Sequence, residues 1–227
     1  KFLEKIEGTL PVKSPSIKYV AKDESYYGYS FANGKQVSYA EIVNKEVFVK
    51  LWIDTAIALS NSMSLEDAMK MGVEQVSFNE YRLKRVKQVI DSKILDDKLH
   101  ELAEYTLQNY LIVWGRAPKF ILHGDPGLGN WVYDKSSNTY TLIDWSDICL
   151  GPQEFQVYRL VNDMPEYIDL IIRYYFERAG IEINRELLFL CGNASILSML
   201  GAFLERGDTK GVQVKMKQLK FWKALQG

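Results

Sequence analysis

Cysteine and histidine are scarce in this sequence. Its two cysteines, Cys149 and Cys191, are too few for a disulfide framework and suit a reducing cytoplasm. Two histidines, His100 and His123, argue against a zinc site. An excess of charge of one sign is missing as well. The 28 Lys and Arg residues against 29 Asp and Glu leave a net charge of -1, so nothing points to nucleic acid or a membrane surface as a partner. No apolar run reads as a membrane span, no signal peptide is visible, and there is no internal repeat or low-complexity segment. What remains is a globular composition. Hydrophobic residues make up 47% of the chain, the mean hydropathy is -0.17, and 227 residues suit one domain or two small ones.

The informative stretch runs from Pro118 to Gly151. Ile121-Leu122 is a short apolar strand that stops at His123. The loop His123-Gly124-Asp125-Pro126-Gly127-Leu128-Gly129-Asn130 follows, then a second strand, Trp131-Val132-Tyr133. Asp134 to Asn138 is polar and turn-rich, and Tyr140 to Ile143 is a third strand ending at Asp144. Apolar runs punctuated by Ser, Asn and Asp predict a hairpin. Asp125, Asn130 and Asp144 therefore fall at strand ends, where a rigid scaffold can aim them at one point. Moving a phosphoryl group to an alcohol needs a base to orient the hydroxyl and metal ions to neutralise the phosphates. An Asp carboxylate and an Asn amide oxygen are the hard ligands that magnesium prefers. Asp125, four intervening residues and Asn130 reproduce the spacing of a kinase catalytic loop. Gly124, Gly127 and Gly129 have neither the spacing nor the following Lys of a phosphate-binding glycine loop.

His123-Gly124-Asp125, Asn130, and then Ile143-Asp144-Trp145 resemble the aminoglycoside phosphotransferase and choline kinase group of protein-kinase-like enzymes. The resemblance implies an α+β fold, with a helical C-terminal lobe carrying the catalytic-loop hairpin at 35–227 and a remnant of the N-terminal lobe with the hinge at 1–34. It implies Asp125 as the catalytic base and Asn130 and Asp144 as magnesium ligands. In this group a helix leads into a Leu-Pro-Val segment, two strands and a hinge ending in Gly. Leu10-Pro11-Val12 and Tyr29 to Gly34 look like those parts, so Ser30 and Ala32 would offer backbone groups to the base of ATP or GTP. The acceptor would be the hydroxyl of a small molecule, aminoglycoside-, choline- or sugar-like. From Gly151 to Asp208 there are nine acidic and five basic residues, which would suit a cationic acceptor, although a solvated surface accounts for the excess as well.

The rest of the chain reads as helical. A short helix is expected before Leu10, and two strands at Ser16–Ala21 and Tyr26–Ala32 around the turn Lys22-Asp23-Glu24-Ser25. Ser38 to Gly115 is helical, with a break near Ser77-Phe78-Asn79. Apolar stripes recur after Pro165, with Gly180 as a stop and Asn184 as a cap. The lysines from Lys210 to Lys223 read as a solvated face. His123 is expected to hold its loop by hydrogen bonds, Asp147 to be a surface residue, and Pro126 to stiffen the loop.

Two departures from the family pattern stand out. Only nine residues precede Leu10, and residues 1–34 contain no glycine-rich strand pair with its phosphate-binding Lys. The expectation is that most of the N-terminal lobe lies outside this chain, which as it stands turns nucleotide over weakly or not at all. The second departure is Gly151-Pro152-Gln153-Glu154-Phe155-Gln156, which lacks the late Asp that props the catalytic loop; Glu154 or Gln156 is the nearest stand-in. Both motivate the competing expectation of a catalytically silent kinase-like module acting in binding or structure.

Overall fold

The computed structural model describes residues 2–20, 27–75 and 79–226. In chain order its elements are α1 (Phe2–Ile6), β1 (Ile17–Val20), β2 (Tyr27–Tyr29), β3 (Lys35–Gln36), α2 (Lys45–Ser60), α3 (Leu65–Lys70), α4 (Asn79–Asp91) and α5 (Asp97–Arg116). They continue with β4 (Phe120–Leu122), β5 (Trp131–Asp134), β6 (Thr139–Leu142), β7 (Cys149–Gly151), α6 (Glu154–Asp163), α7 (Ile168–Ala179), α8 (Arg185–Glu205) and α9 (Thr209–Leu225). The expected turn Lys22 to Ser25 and the break at Ser77-Phe78 lie outside the described residues.

Contacts divide the chain into two units, one made of Lys1–Gln75 and Lys119–Ile183, the other of Val76–Pro118 and Asn184–Gly227. The second is helical: α8 packs against α4, α5 and α9. Three of its helices, α5, α8 and α9, start where short polar side chains satisfy otherwise unpaired N–H groups. Asp96 accepts from Leu99 N, Asn184 from Leu187 N and Asp208 from Gly211 N. The sequence reading found no apolar run of membrane-span length, and α8 corrects it: Arg185–Glu205 contains a window of mean hydropathy 1.9 that is long and apolar enough to cross a membrane. The structure gives that composition another use, since 72% of the window is buried within the protein. A helix apolar on every side is what a central position demands. Gly192 shows how close the packing is, because a Cβ there would stand 2.6 Å from the Trp222 ring.

The first unit carries the strands. β1 pairs antiparallel with β2. β3, β5 and β6 form an antiparallel sheet with β5 in the centre, Lys35 opposite Tyr133 and Trp131 opposite Leu142. Lys13 extends this sheet along β6: its N–H donates to Tyr140 O (3.0 Å) and its carbonyl accepts from Leu142 N (2.9 Å). β4 pairs with β7, with Ile121 opposite Leu150. That pair forms the neck of a closed loop, and residues 123–148, including the β5–β6 hairpin, lie within it. Phe48, Trp52, Ile53, Trp131, Leu142, Phe155 and Val157 belong to the buried core of this unit.

Candidate active site

The neck fixes where the polar residues fall. β4 ends at Leu122, and the chain turns immediately through His123 and Gly124. Gly124 adopts φ +87° and passes so close to Asp147 that a Cβ would stand 2.0 Å from its carbonyl oxygen. Only glycine permits both the left-handed backbone and this approach. Asp147 is itself exposed, as the sequence suggested, and its contribution here is made by its backbone.

His123 is fully buried. Its N–H donates to Gln156 Oε1 (2.9 Å), and its Nε2 lies 3.0 Å from Ile143 O. The ring faces Trp145, with centroids 4.6 Å apart. Of the two residues offered for the missing late Asp, Gln156 on α6 is the one that accepts from the His123 amide. Burial pushes the His123 imidazole down to about 4, because a charged ring would lose its hydration there. Between pH 6.5 and about 4 an unfolded His123 takes up a proton that the folded one refuses. Stability is thus complete above pH 6.5 and falls by about 3 kcal/mol as the pH drops to about 4. Urea unfolding across this range should show the stability gap between wild type and His123→Asn narrowing toward acid.

Pro126 follows, and its carbonyl accepts from two indoles, Trp52 Nε1 (2.8 Å) and Trp131 Nε1 (3.1 Å). The loop is thereby held by α2 on one side and β5 on the other. Leu128 to Asn130 form a single 3-10 turn. Leu128 N donates to Asp163 Oδ2 (2.8 Å), and Gln36 on β3 hydrogen-bonds Gly129 O through its side chain.

The three expected chemical residues come together in this frame. Asn130 Nδ2 donates to Asp125 O (2.6 Å) and Asn130 O accepts from Ile143 N (2.9 Å), so the end of the loop is tied both to its start and to the last residue before Asp144. Asp144 follows β6 with φ +60° and ψ +68°, a left-handed conformation that turns the chain sharply at the strand end. Its carboxylate is exposed and accepts from Ser146 Oγ (2.7 Å). The Asp125 carboxylate pairs with Arg159 on α6, Nε to Oδ1 at 3.1 Å. Asp163, one helical turn beyond Arg159, is raised above the usual carboxylate range by burial. The sequence reading missed Arg159 and Asp163. The signal was their four-residue spacing on a helix that follows the hairpin, which puts both on one face.

Ser30 and Ala32 lie apart from this cluster. With Asn33, Asp134 and Thr141 they line a cleft of about 110 Å³ beside the β5–β6 hairpin. Ser30 N donates to Ser16 O (2.8 Å) and its hydroxyl accepts from Ser16 N (2.9 Å). The backbone groups of Phe31, Ala32 and Asn33 enter no main-chain hydrogen bond among the described residues. As to metal, no three His, Cys, Asp or Glu side chains converge among the described residues, so Asn130 and Asp144 offer only part of a coordination sphere. That partial set is chemically apt: Asn130 donates through its nitrogen, which leaves the amide oxygen as a hard ligand.

A family model described as phosphotransferase enzyme family (APH) matches residues 50–188. Among curated proteins none matches the chain. Among solved structures, the GDP complex of wild-type aminoglycoside 2'-phosphotransferase-IIIa is 18% identical at a TM-score of 0.74, covering 99% of this chain and 80% of that one. Macrolide 2'-phosphotransferase type I is 16% identical at a TM-score of 0.62, covering 96% and 76%. An ethanolamine kinase from Plasmodium vivax is 14% identical at a TM-score of 0.60, covering 97% and 69%. At these identities the likeness is one of fold, the kinase-like α+β fold that the catalytic-loop motif implied.

Proposed function

Because the chain belongs to the phosphotransferase enzyme family, we propose that it transfers the γ-phosphoryl group of ATP or GTP to a hydroxyl of a small molecule, aminoglycoside-, choline- or sugar-like. The observation that supports this reading is the frame that holds Asn130 to Asp125 through Asn130 Nδ2 and Asp125 O, and to Ile143, the residue before Asp144, through Ile143 N and Asn130 O. Asp125 acts as the base: its carboxylate accepts the acceptor hydroxyl's hydrogen bond and takes the proton as the oxygen attacks phosphorus. The amide oxygen of Asn130 and the carboxylate of Asp144 would hold magnesium together with phosphate and water oxygens. When bound, the metal neutralises charge on the phosphates. The open backbone of Ala32 and the carbonyl of Ser30 would receive the nucleotide base in the cleft beside the hairpin, and residues 1–34 would serve as hinge and N-terminal lobe remnant. His123, neutral and buried, takes no part in the chemistry and holds the loop.

Isothermal calorimetry of magnesium with GDP or ATP tests the metal assignment. Asn130→Ala and Asp144→Ala should each weaken magnesium-dependent nucleotide binding by about tenfold or more, while binding measured in EDTA stays the same for both variants and the wild type. Equal affinities with magnesium in all three proteins would remove the metal role from these residues.

A further inference from the structure

The acceptor side of the candidate site contains a residue that the reading above does not use. Arg159 leans from α6 toward Asp125, and the side chains of this pair are 23% and 38% exposed. The contact is an ion pair without hydrogen-bond alignment, and Arg159 Nε is a buried donor with no hydrogen-bond partner among the described residues. The guanidinium plane is steadied by Tyr158, whose ring centroid lies 5.1 Å from Cζ. Below it, Asp163 and Asp125 converge over Gly127, where a Cβ would stand 3.5 Å from Asp163 Oδ2 and 3.8 Å from Asp125 Oδ1. The base therefore sits in a pocket of mixed charge, beside a guanidinium whose Nε has no hydrogen-bond partner among the described residues.

An arginine in this state has a specific complement. A guanidinium fork matches the paired oxygens of a carboxylate or phosphate, and charge-assisted bonds of this type are the strong ones. Resting on the phosphotransferase reading, we infer that Arg159 forms an oxyanion subsite beside the base. The oxyanion has two sources with the same chemistry: the phosphoryl group in transfer, or a carboxylate or phosphate that the acceptor carries next to its hydroxyl. Either one draws the fork away from Asp125 and frees that carboxylate for the hydroxyl proton.

The test loads the full chain with magnesium and GDP and titrates it with aluminium fluoride, which mimics a phosphoryl group in transfer, or with D-glycerate as an anionic alcohol. Glycerol and ethanolamine are the uncharged and cationic controls. Wild type is compared with Arg159→Met and Arg159→Lys, and unchanged GDP affinity shows that each variant is folded. The expected result is that Arg159→Met loses about tenfold or more in affinity, the scale of one charge-assisted hydrogen bond, with Lys intermediate. Loss confined to aluminium fluoride identifies the transferring phosphoryl group as the oxyanion, and loss confined to glycerate identifies the acceptor's own. If Arg159→Met binds both probes as tightly as wild type, or if wild type binds neither while binding GDP, the subsite is overturned and the phosphotransferase reading stands. If wild type binds no GDP with magnesium, that reading falls and the subsite falls with it.

Discussion

Replacing Asp125 by Asn should lower nucleotide-dependent phosphoryl transfer by about 10²–10⁴-fold from whatever rate the wild type shows, the range typical of a lost general base. The substitution is close to isosteric. It keeps the side chain's volume in the pocket over Gly127 and removes only the charge and the proton-accepting capacity. The backbone carbonyl that receives Asn130 Nδ2 is retained, so the Asn130 end of the loop keeps its geometry. Magnesium–nucleotide affinity should accordingly stay within about twofold, since interactions made only in the transition state leave ground-state binding intact. The check is a pair of measurements on the same preparation: phosphorylated product against time, and calorimetry with magnesium and GDP. Loss of rate with intact binding fits the base. Parallel loss of both would make Asp125 a support of the loop, and an unchanged rate would remove it from the chemistry.

The largest effect on folding is expected at Gly124. An alanine there meets two separate penalties. The left-handed backbone at φ +87° costs a residue with a Cβ about 1–3 kcal/mol, and overpacking against the Asp147 carbonyl, 2.0 Å from the added atom, costs about 1–3 kcal/mol more. Gly124→Ala should thus lose about 2–6 kcal/mol in urea unfolding. Gly72 is the control. It has nearly the same φ, +86°, but nothing lies within 4 Å of its virtual Cβ, so Gly72→Ala carries the backbone penalty alone. The gap between the variants measures the clash. Equal losses at the two sites would mean that the 144–148 turn yields, and that the close approach does not hold the loop.

The residues near one another in sequence were the legible ones. The β5–β6 hairpin showed itself through alternating apolar residues around a polar turn, and with it came the placement of Asp125, Asn130 and Asp144 at strand ends. The capping side chain Asn184 was visible for the same reason, because the N–H group that it satisfies lies three residues ahead. What escaped was built from distant partners. β7 and β3 are three and two residues long, too short to carry a period, and they exist because β4 and β5 offer them an edge. Arg159 and Asp163 could be read as an exposed pair on any helix; only the pairing of β4 with β7, which brings α6 back under the loop, makes them neighbours of Asp125. Gln156 was one of two candidates for the prop, and nothing local could separate it from Glu154. The apolar length of α8 also went unread, and composition alone does not say whether lipid or protein will cover such a helix.

The two indoles on the Pro126 carbonyl give the loop at Asp125 an optical handle. Trp52 reports from α2 and Trp131 from β5, and both are hydrogen-bonded to the same oxygen, next in sequence to Asp125. Indole emission depends on the polarity and hydrogen bonding of its N–H, so a ligand that shifts this peptide group alters two fluorophores at once. The chain thus contains an intrinsic, label-free gauge of events beside Asp125, and Trp52→Phe and Trp131→Phe separate the helix side of that signal from the sheet side.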